Sequence, residues 1–129
     1  MAGQYTFGKS EKLTEKKIID GLFGPVTHFK QYPLRLNLLP IEENIKWEYP
    51  AKVLIIVGKR SFKKAVDRNY QKRLIRETFR IHKSELYEAM GNSKYAIGIF
   101  RMGNTPLTYK ELNEAMQLLL EKTIKHLKA

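Results

Sequence analysis

Cysteine is absent from the 129 residues, which excludes disulfide frameworks, zinc ribbons and thiol catalysis together and suits a reducing compartment. Long apolar runs are absent as well. The longest, Val53-Leu54-Ile55-Ile56-Val57, has strand length and falls far short of the roughly 18 residues that cross a bilayer. Met1 to Ser10 hold no apolar segment of the kind a secretory signal needs, so the expectation is a soluble, cytoplasmic protein. A phosphate-cradling glycine loop, a Gly-x-Ser-x-Gly turn and a paired-histidine zinc helix are all missing. His28, His82 and His126 fall in different elements, and Glu42-Glu43 has no placed partner. No spacing therefore builds an acid–base pair or a metal site, and the expectation is neither a catalytic residue nor a metal ligand on the chain.

Acidic residues are scarce: 13 Asp and Glu stand against 24 Lys and Arg, a net charge of +11. Such a balance predicts attraction to polyanions, nucleic acid first and an anionic membrane surface as the rival. The charge is also localised. Lys59, Arg60, Lys63, Lys64, Arg68, Lys72, Arg73 and Arg76 occur within 18 residues that contain one acid, Asp67. Solubility alone normally mixes the two signs.

The length suits one domain, 1–129, with residues 1–12 as a mobile or loosely docked start. A first helix is expected over Thr14–Phe23, capped by Thr14 and ended by Gly24-Pro25. Leu34–Leu38 alternates as a strand with one buried face, Pro40–Pro50 is a connection containing Trp47, and Ala51–Val57 is a β-branched, central strand. A basic helix runs from Lys64 to about Lys83. Phased from Val66, its residues Val66, Tyr70, Leu74, Thr78 and Ile81 form a packing arc, opposed by Arg68, Asn69, Lys72, Arg73, Arg76 and Arg80. His82, at its end, is expected near the helix C-terminus or RNA. After the Gly91-Asn92-Ser93 turn, Tyr95–Phe100 is a third strand. Thr108 with Glu111 makes a capping box for a last helix, whose buried stripe is Leu112, Ala115, Met116, Leu119, Thr123 and Leu127. The order α-β-β-α-β-α places the chain in the α+β class.

The core of the basic segment reads Ala65-Val66-x-Arg68-Asn69-x-x-Lys72-Arg73-x-x-Arg76-Glu77. Asn69, Lys72 and Arg76 lie at i, i+3 and i+7, a single stripe on a helix. Guanidinium groups bind phosphates through paired hydrogen bonds, and an Asn amide can donate and accept at a base edge or 2′-hydroxyl. The competing account is a solvated charged face.

This pattern resembles the signature of the bacterial ribonuclease P protein subunit. The likeness extends to Lys12-Leu13-Thr14 through Ile19 and Phe23, similar to the family's first helix, where Arg-Leu precedes two phenylalanines four residues apart. Phe23 matches the second of these, and Ile19 stands at the first. Lys63-Lys64 replaces the Gly-Asn that often precedes Ala-Val. The resemblance implies a small α/β sandwich similar to a ribosomal-protein domain, with a left-handed crossover between parallel strands around the basic helix. It implies as partners a catalytic ribonuclease P RNA and precursor tRNA, with no obligate protein partner and no membrane. Magnesium, bound mainly by the RNA, would perform the hydrolysis. On this reading Lys59, Arg60, Lys63, Lys64, Arg68, Asn69, Lys72, Arg73, Arg76 and Arg80 bind the catalytic RNA. Phe23, Tyr32, Arg35 and Lys52 line a cleft for the single-stranded 5′ leader, which needs cations and a stacking surface. Phe23 has an alternative role as a core residue, and Ile19, without a π face, is expected in the core. Three rival classes are a ribosomal or other structural RNA-binding protein, a DNA-binding module and a membrane-surface helix. No helix-turn-helix or dimer signature accompanies the second, and the apolar arc of the third is better used in a core.

Overall fold

The computed structural model describes residues 11–42 and 44–129. Most of the expected start, and Glu43 of the Glu42-Glu43 pair, lie outside them. Seven elements follow in the order α1 (Lys16–Leu22), β1 (Thr27–Gln31), β2 (Leu34–Ile41), β3 (Ala51–Val57), α2 (Ala65–Met90), β4 (Lys94–Arg101) and α3 (Tyr109–Lys128). The class is α+β as expected, with one more strand than the sequence reading placed.

That strand is β1. Its burial pattern is mostly exposed, so Thr27–Gln31 carries little apolar alternation to read. It is held as an edge strand by antiparallel pairing with β2 across a two-residue turn, Tyr32-Pro33. The sheet order is β1-β2-β4-β3, with β2 and β4 antiparallel and β3 and β4 parallel through the α2 crossover. β3 is therefore an edge strand, not the central one expected; its apolar run reflects cover on both faces, and the segment before α1 bridges its outer edge at Val53.

Two apolar layers sandwich the sheet. Leu34, Leu36, Leu38, Val53, Val57, Ile97 and Ile99 face α2 and α3 in the main core, which includes Ile75, Phe79, Leu86, Leu112, Met116 and Leu119. The opposite face packs against α1 in a smaller cluster built on Leu13, Leu22 and Ala96, with Ile18, Ile19, Leu39, Trp47 and Leu54 at its margin. Gly98 lies beneath this helix: a Cβ there would come within 3.2 Å of the Phe100 ring and 3.5 Å of Leu22. The small side lets α1 approach the strand closely.

The helix ends follow ordinary capping physics. Thr108 and Glu111 form the expected reciprocal box at the start of α3, and α2 ends at Gly91 with φ +59°, where glycine lacks the steric penalty of a side chain. At α1 the expectation fails. Thr14 is not the cap; Glu15 occupies that position without a side-chain capping bond, because its carboxylate is turned to Lys52 and Trp47 instead. Those bonds also give the Pro40–Pro50 connection a role: they tie Trp47 to the front of α1.

The larger correction concerns α2. It extends to Met90, and its buried residues are Ile75, Thr78, Phe79, Lys83, Leu86 and Met90. Ile75 lies about 180° around the helix from Val66. Val66 is 77% exposed, Tyr70 49% and Ile81 39%, so only Thr78 of that arc is buried and Leu74 is half-buried. The helix packs through the side centred near Ile75, Phe79 and Leu86, so Val66, Tyr70 and Ile81 lie on its outward face.

Candidate nucleic-acid interface

The loop before α2 is compact. Gly58 O accepts from the backbone N–H groups of Ser61 and Phe62, at 3.2 and 3.1 Å. Arg68 Nη1 donates to the carbonyls of Phe62 and Lys63, at 3.0 and 2.8 Å. Arg68 sits at the azimuth of the buried stripe, about 200° from Val66 and about two turns before Ile75, the first buried residue of the helix. Through these two bonds it holds the loop. Phe62 is half-buried against the main core, with the Arg101 guanidinium 5.2 Å from its ring centroid. The loop is thus fastened at both ends while Lys59, Arg60, Lys63 and Lys64 stay exposed.

Helix α2 divides the remaining cations among three surroundings. Asn69 and Arg73 are exposed, and the Arg73 guanidinium lies 5.4 Å from the centre of the exposed Tyr70 ring. Lys72 and Arg76 are half-buried on the flank that meets β3, beside Lys12 and Leu13. Arg80 is paired with Glu77 at 2.5 Å, and that bond is the main reason the Glu77 carboxyl is held below its usual range. The outward face therefore mixes Val66 and Tyr70 with Asn69 and Arg73; it is not a purely polar stripe. His82 is half-buried, eight residues before the end of the helix. Its Nε2 lies 2.9 Å from Asn113 Oδ1 of α3, a bond between the two packed helices.

A cleft of about 470 Å³ opens between the end of α1 and the sheet, lined by Phe23, Arg35, Asn37, Ile56, Phe100 and Arg101, with Gly58 and Ser61 at the loop side. Phe23 is 59% exposed and is not a core residue. It stands edge-on to Phe100, with centroids 5.6 Å apart and planes at 87°, a favourable aromatic geometry that leaves much of the ring open. Ile19 is half-buried in the small cluster. Arg35 is oriented by its neighbour: its Nε donates to Asn37 Oδ1 at 2.9 Å.

The other two residues expected in the cleft are elsewhere. Tyr32 is exposed beside the loop after β4, its hydroxyl 3.0 Å from Thr105 Oγ1. Lys52 shares the α1 face of the sheet but lies at the far end of β3, bonded to Glu15 at 3.1 Å and 5.2 Å from the Trp47 ring centre. Partial burial disfavours the Glu15 anion, but the Lys52 bond and the Thr14 backbone N–H outweigh it and hold the carboxyl below its ordinary value.

The basic loop, the outward face of α2 and the α1 cleft thus form adjoining surfaces, and the ribonuclease P family model matches residues 7–124. The chain belongs to the ribonuclease P protein family. It is 34% identical over 122 residues to the ribonuclease P protein component of Porphyromonas gingivalis, a match that spans 91% of this chain and 87% of that protein. A shorter match, 42% identical over 50 residues, covers 39% of this chain and 37% of the ribonuclease P protein component of Pseudomonas fluorescens. The fold is similar to that of the Staphylococcus aureus RNase P protein, with a TM-score of 0.70 at 18% identity, over 89% of this chain and 96% of that one.

Two residues of this ribonuclease P protein escaped the sequence reading. Arg101 is 4% exposed; its guanidinium bonds Gln71 at 3.2 Å and the carbonyls of Met102 and Thr105. Burial pulls it below the usual arginine range, with Tyr32 opposing the shift. Its signal was available, since it continues the inward register of Ile97 and Ile99 and a cation there must find partners. Asn37 is also 4% exposed. Alternation within Leu34–Leu38 had assigned it to the polar face, and nothing local told that α1 would cover that face. Among the described residues no group of three His, Asp or Glu is placed to hold a metal, and no helix is long and apolar enough to cross a membrane.

Proposed function

We propose that this chain is the protein component of a ribonuclease P that matures the 5′ end of tRNA. It binds the catalytic RNA through the 58–64 loop and the outward face of α2. It binds the 5′ leader of precursor tRNA in the cleft between α1 and the sheet. One observation carries this reading: an array of exposed cations, Lys59, Arg60, Lys63, Lys64 and Arg73, with no ion pair among the described residues, adjoins an aromatic cleft that opens beside Phe23.

The first surface suits a folded RNA. Its cations can follow phosphates, while Asn69 and the Tyr70 ring supply a polar edge and a flat face on the same helix surface. The second suits a single strand: Phe23 offers a ring for stacking, and Arg35 places a guanidinium on the sheet floor. Arg68 acts within the first surface by positioning the loop. Lys52, committed to Glu15, supports α1 and the cleft wall from beneath.

The chemistry assigned to the protein is binding and charge neutralisation. Magnesium, held mainly by the RNA, would supply the hydrolytic chemistry. The leader adds substrate affinity that mature tRNA lacks, so the complex prefers substrate to product. The test compares holoenzyme affinity for precursor tRNA with a leader and for mature tRNA, using the parent chain and Phe23→Ala. The ratio of the two affinities should fall by about fivefold or more in the variant, the worth of one stacked base. An unchanged ratio in a folded variant would sink the leader assignment.

A further inference from the structure

Two guanidinium groups line the cleft beside Phe23, those of Arg35 and Arg101, and they differ in what they have left to offer. All three Arg101 nitrogens are engaged, Nε with Gln71 and the two Nη groups with the carbonyls of Met102 and Thr105. Arg35 is half-buried and makes one hydrogen bond among the described residues, from Nε to Asn37 Oδ1. Asn37 is itself spent, because its amide nitrogen donates to Leu22 O. The cleft therefore holds one guanidinium that is oriented through Nε and keeps both Nη groups without a partner among the described residues.

The surroundings of that fork select its ligand. Arg35 lies opposite Phe100 in the β2–β4 register, and Phe100 is the ring that Phe23 meets edge-on. A hydrogen-bonding fork and an open aromatic face thus adjoin each other. No carboxylate among the described residues lines the cleft, so no anion of the chain competes there for the fork. A phosphate could engage the fork alone. An unpaired base can engage the fork and the ring together.

Parallel N–H donors need two adjacent acceptors. Guanine presents O6 and N7 on one edge, whereas adenine sets an amino donor beside N7. Uracil has no adjacent pair. Cytosine has one, O2 and N3, but stacks through a single ring. We infer that Arg35 makes the leader site selective for guanine at one position, with Phe23 stacking on the base and the Arg35 Nη groups bonding O6 and N7. The inference rests on the leader-binding reading above and adds base identity to it.

The test is the affinity of the assembled complex for precursor tRNAs whose leaders are all uridine except at one position, which is walked along the leader. At one position guanosine should bind about fivefold or more tighter than uridine, adenosine or cytidine, the worth of a bidentate contact. Inosine there should keep the gain, since it retains O6 and N7, and 7-deazaguanosine should lose it. Arg35→Lys, which keeps the charge without the fork, should bind the four leaders alike. The analogues need no protein variant, so their result holds even if Arg35→Lys fails to fold. A preference for cytidine, full affinity for 7-deazaguanosine, or the same preference from the catalytic RNA alone would overturn the guanine assignment. So would an equal loss for every leader in Arg35→Lys, which would make Arg35 a phosphate contact. If every leader binds more tightly than mature tRNA but all bind equally, the inference fails and the leader site survives. If no leader binds more tightly than mature tRNA, both fail.

Discussion

The side-chain amide of Asn37 donates to the carbonyl oxygen of Leu22 at 2.8 Å. This one bond ties the sheet floor to the last turn of α1, whose carbonyls have no partner within the helix. The other side of the same amide accepts from Arg35, so one buried residue sets both the wall and the floor of the cleft. Asn37→Leu would leave the Leu22 carbonyl unsatisfied and Arg35 unrestrained. We expect a loss of about 1–3 kcal/mol in stability, read from urea unfolding, together with weaker leader binding. A variant as stable as the parent would contradict the assigned bond.

The Glu11–Lys83 pair, bonded at 2.6 Å with both side chains 1% exposed, invites a double replacement. Lys83→Met alone strands a buried carboxylate and should cost about 3–5 kcal/mol, whereas replacing both partners by apolar residues of similar size is often neutral or stabilising. Burial first, and then the bond to Glu11, push the Tyr87 phenol far above its ordinary range, so that hydroxyl stays a donor and loses its acceptor in Glu11→Leu. The Glu11→Leu, Lys83→Met chain should therefore recover most, not all, of the stability lost by Lys83→Met. Additive losses in chemical denaturation would show that the two residues are not coupled.

Acid should act through Glu15. Its folded pKa lies below the ordinary 4.5, so its bonds to Lys52 and Trp47 contribute stability that is fully present above the ordinary value and is lost as the pH falls through the lower folded value. The stability difference between the parent and Glu15→Gln should be largest near neutral pH and shrink below about pH 4.5. A difference that stays constant from pH 7 down to pH 3 would remove Glu15 from the acid response.

Arg68 is expected to act on the loop rather than on RNA directly. Arg68→Ala should leave α2 helical but raise amide hydrogen exchange across Lys59–Lys63, because both carbonyls lose their shared donor. Weaker RNA binding should accompany the loosened loop. Unchanged exchange with weakened binding would instead make Arg68 a direct contact.

Much of the fold was legible because its elements carry their own signals. The Thr108–Glu111 box, the β-branched run of β3 and the stripe from Leu112 to Thr123 are local patterns, and each reappears in the structure. What could not be read depended on how one element sits against another. Val66 and Tyr70 have the right spacing for a core, but the helix packs through its opposite side, around Ile75 and Phe79. β1 has almost no apolar face and exists through pairing with β2. The basic patch was visible as composition, yet composition did not separate Arg68, which holds the loop, from Arg73, which faces outward, or from Arg80, which Glu77 engages. Lys52 looked like a cleft cation because its face was right, but its distance along β3 was wrong.

Cleavage of precursor tRNA at low magnesium tests the central claim most directly, with three arms: the cognate catalytic RNA alone, that RNA with this protein, and the protein alone. Protein cations that replace ionic screening of the RNA should restore cleavage in the second arm, with none in the third. Cleavage by the protein alone, or no stimulation of the RNA by folded protein, would contradict the account.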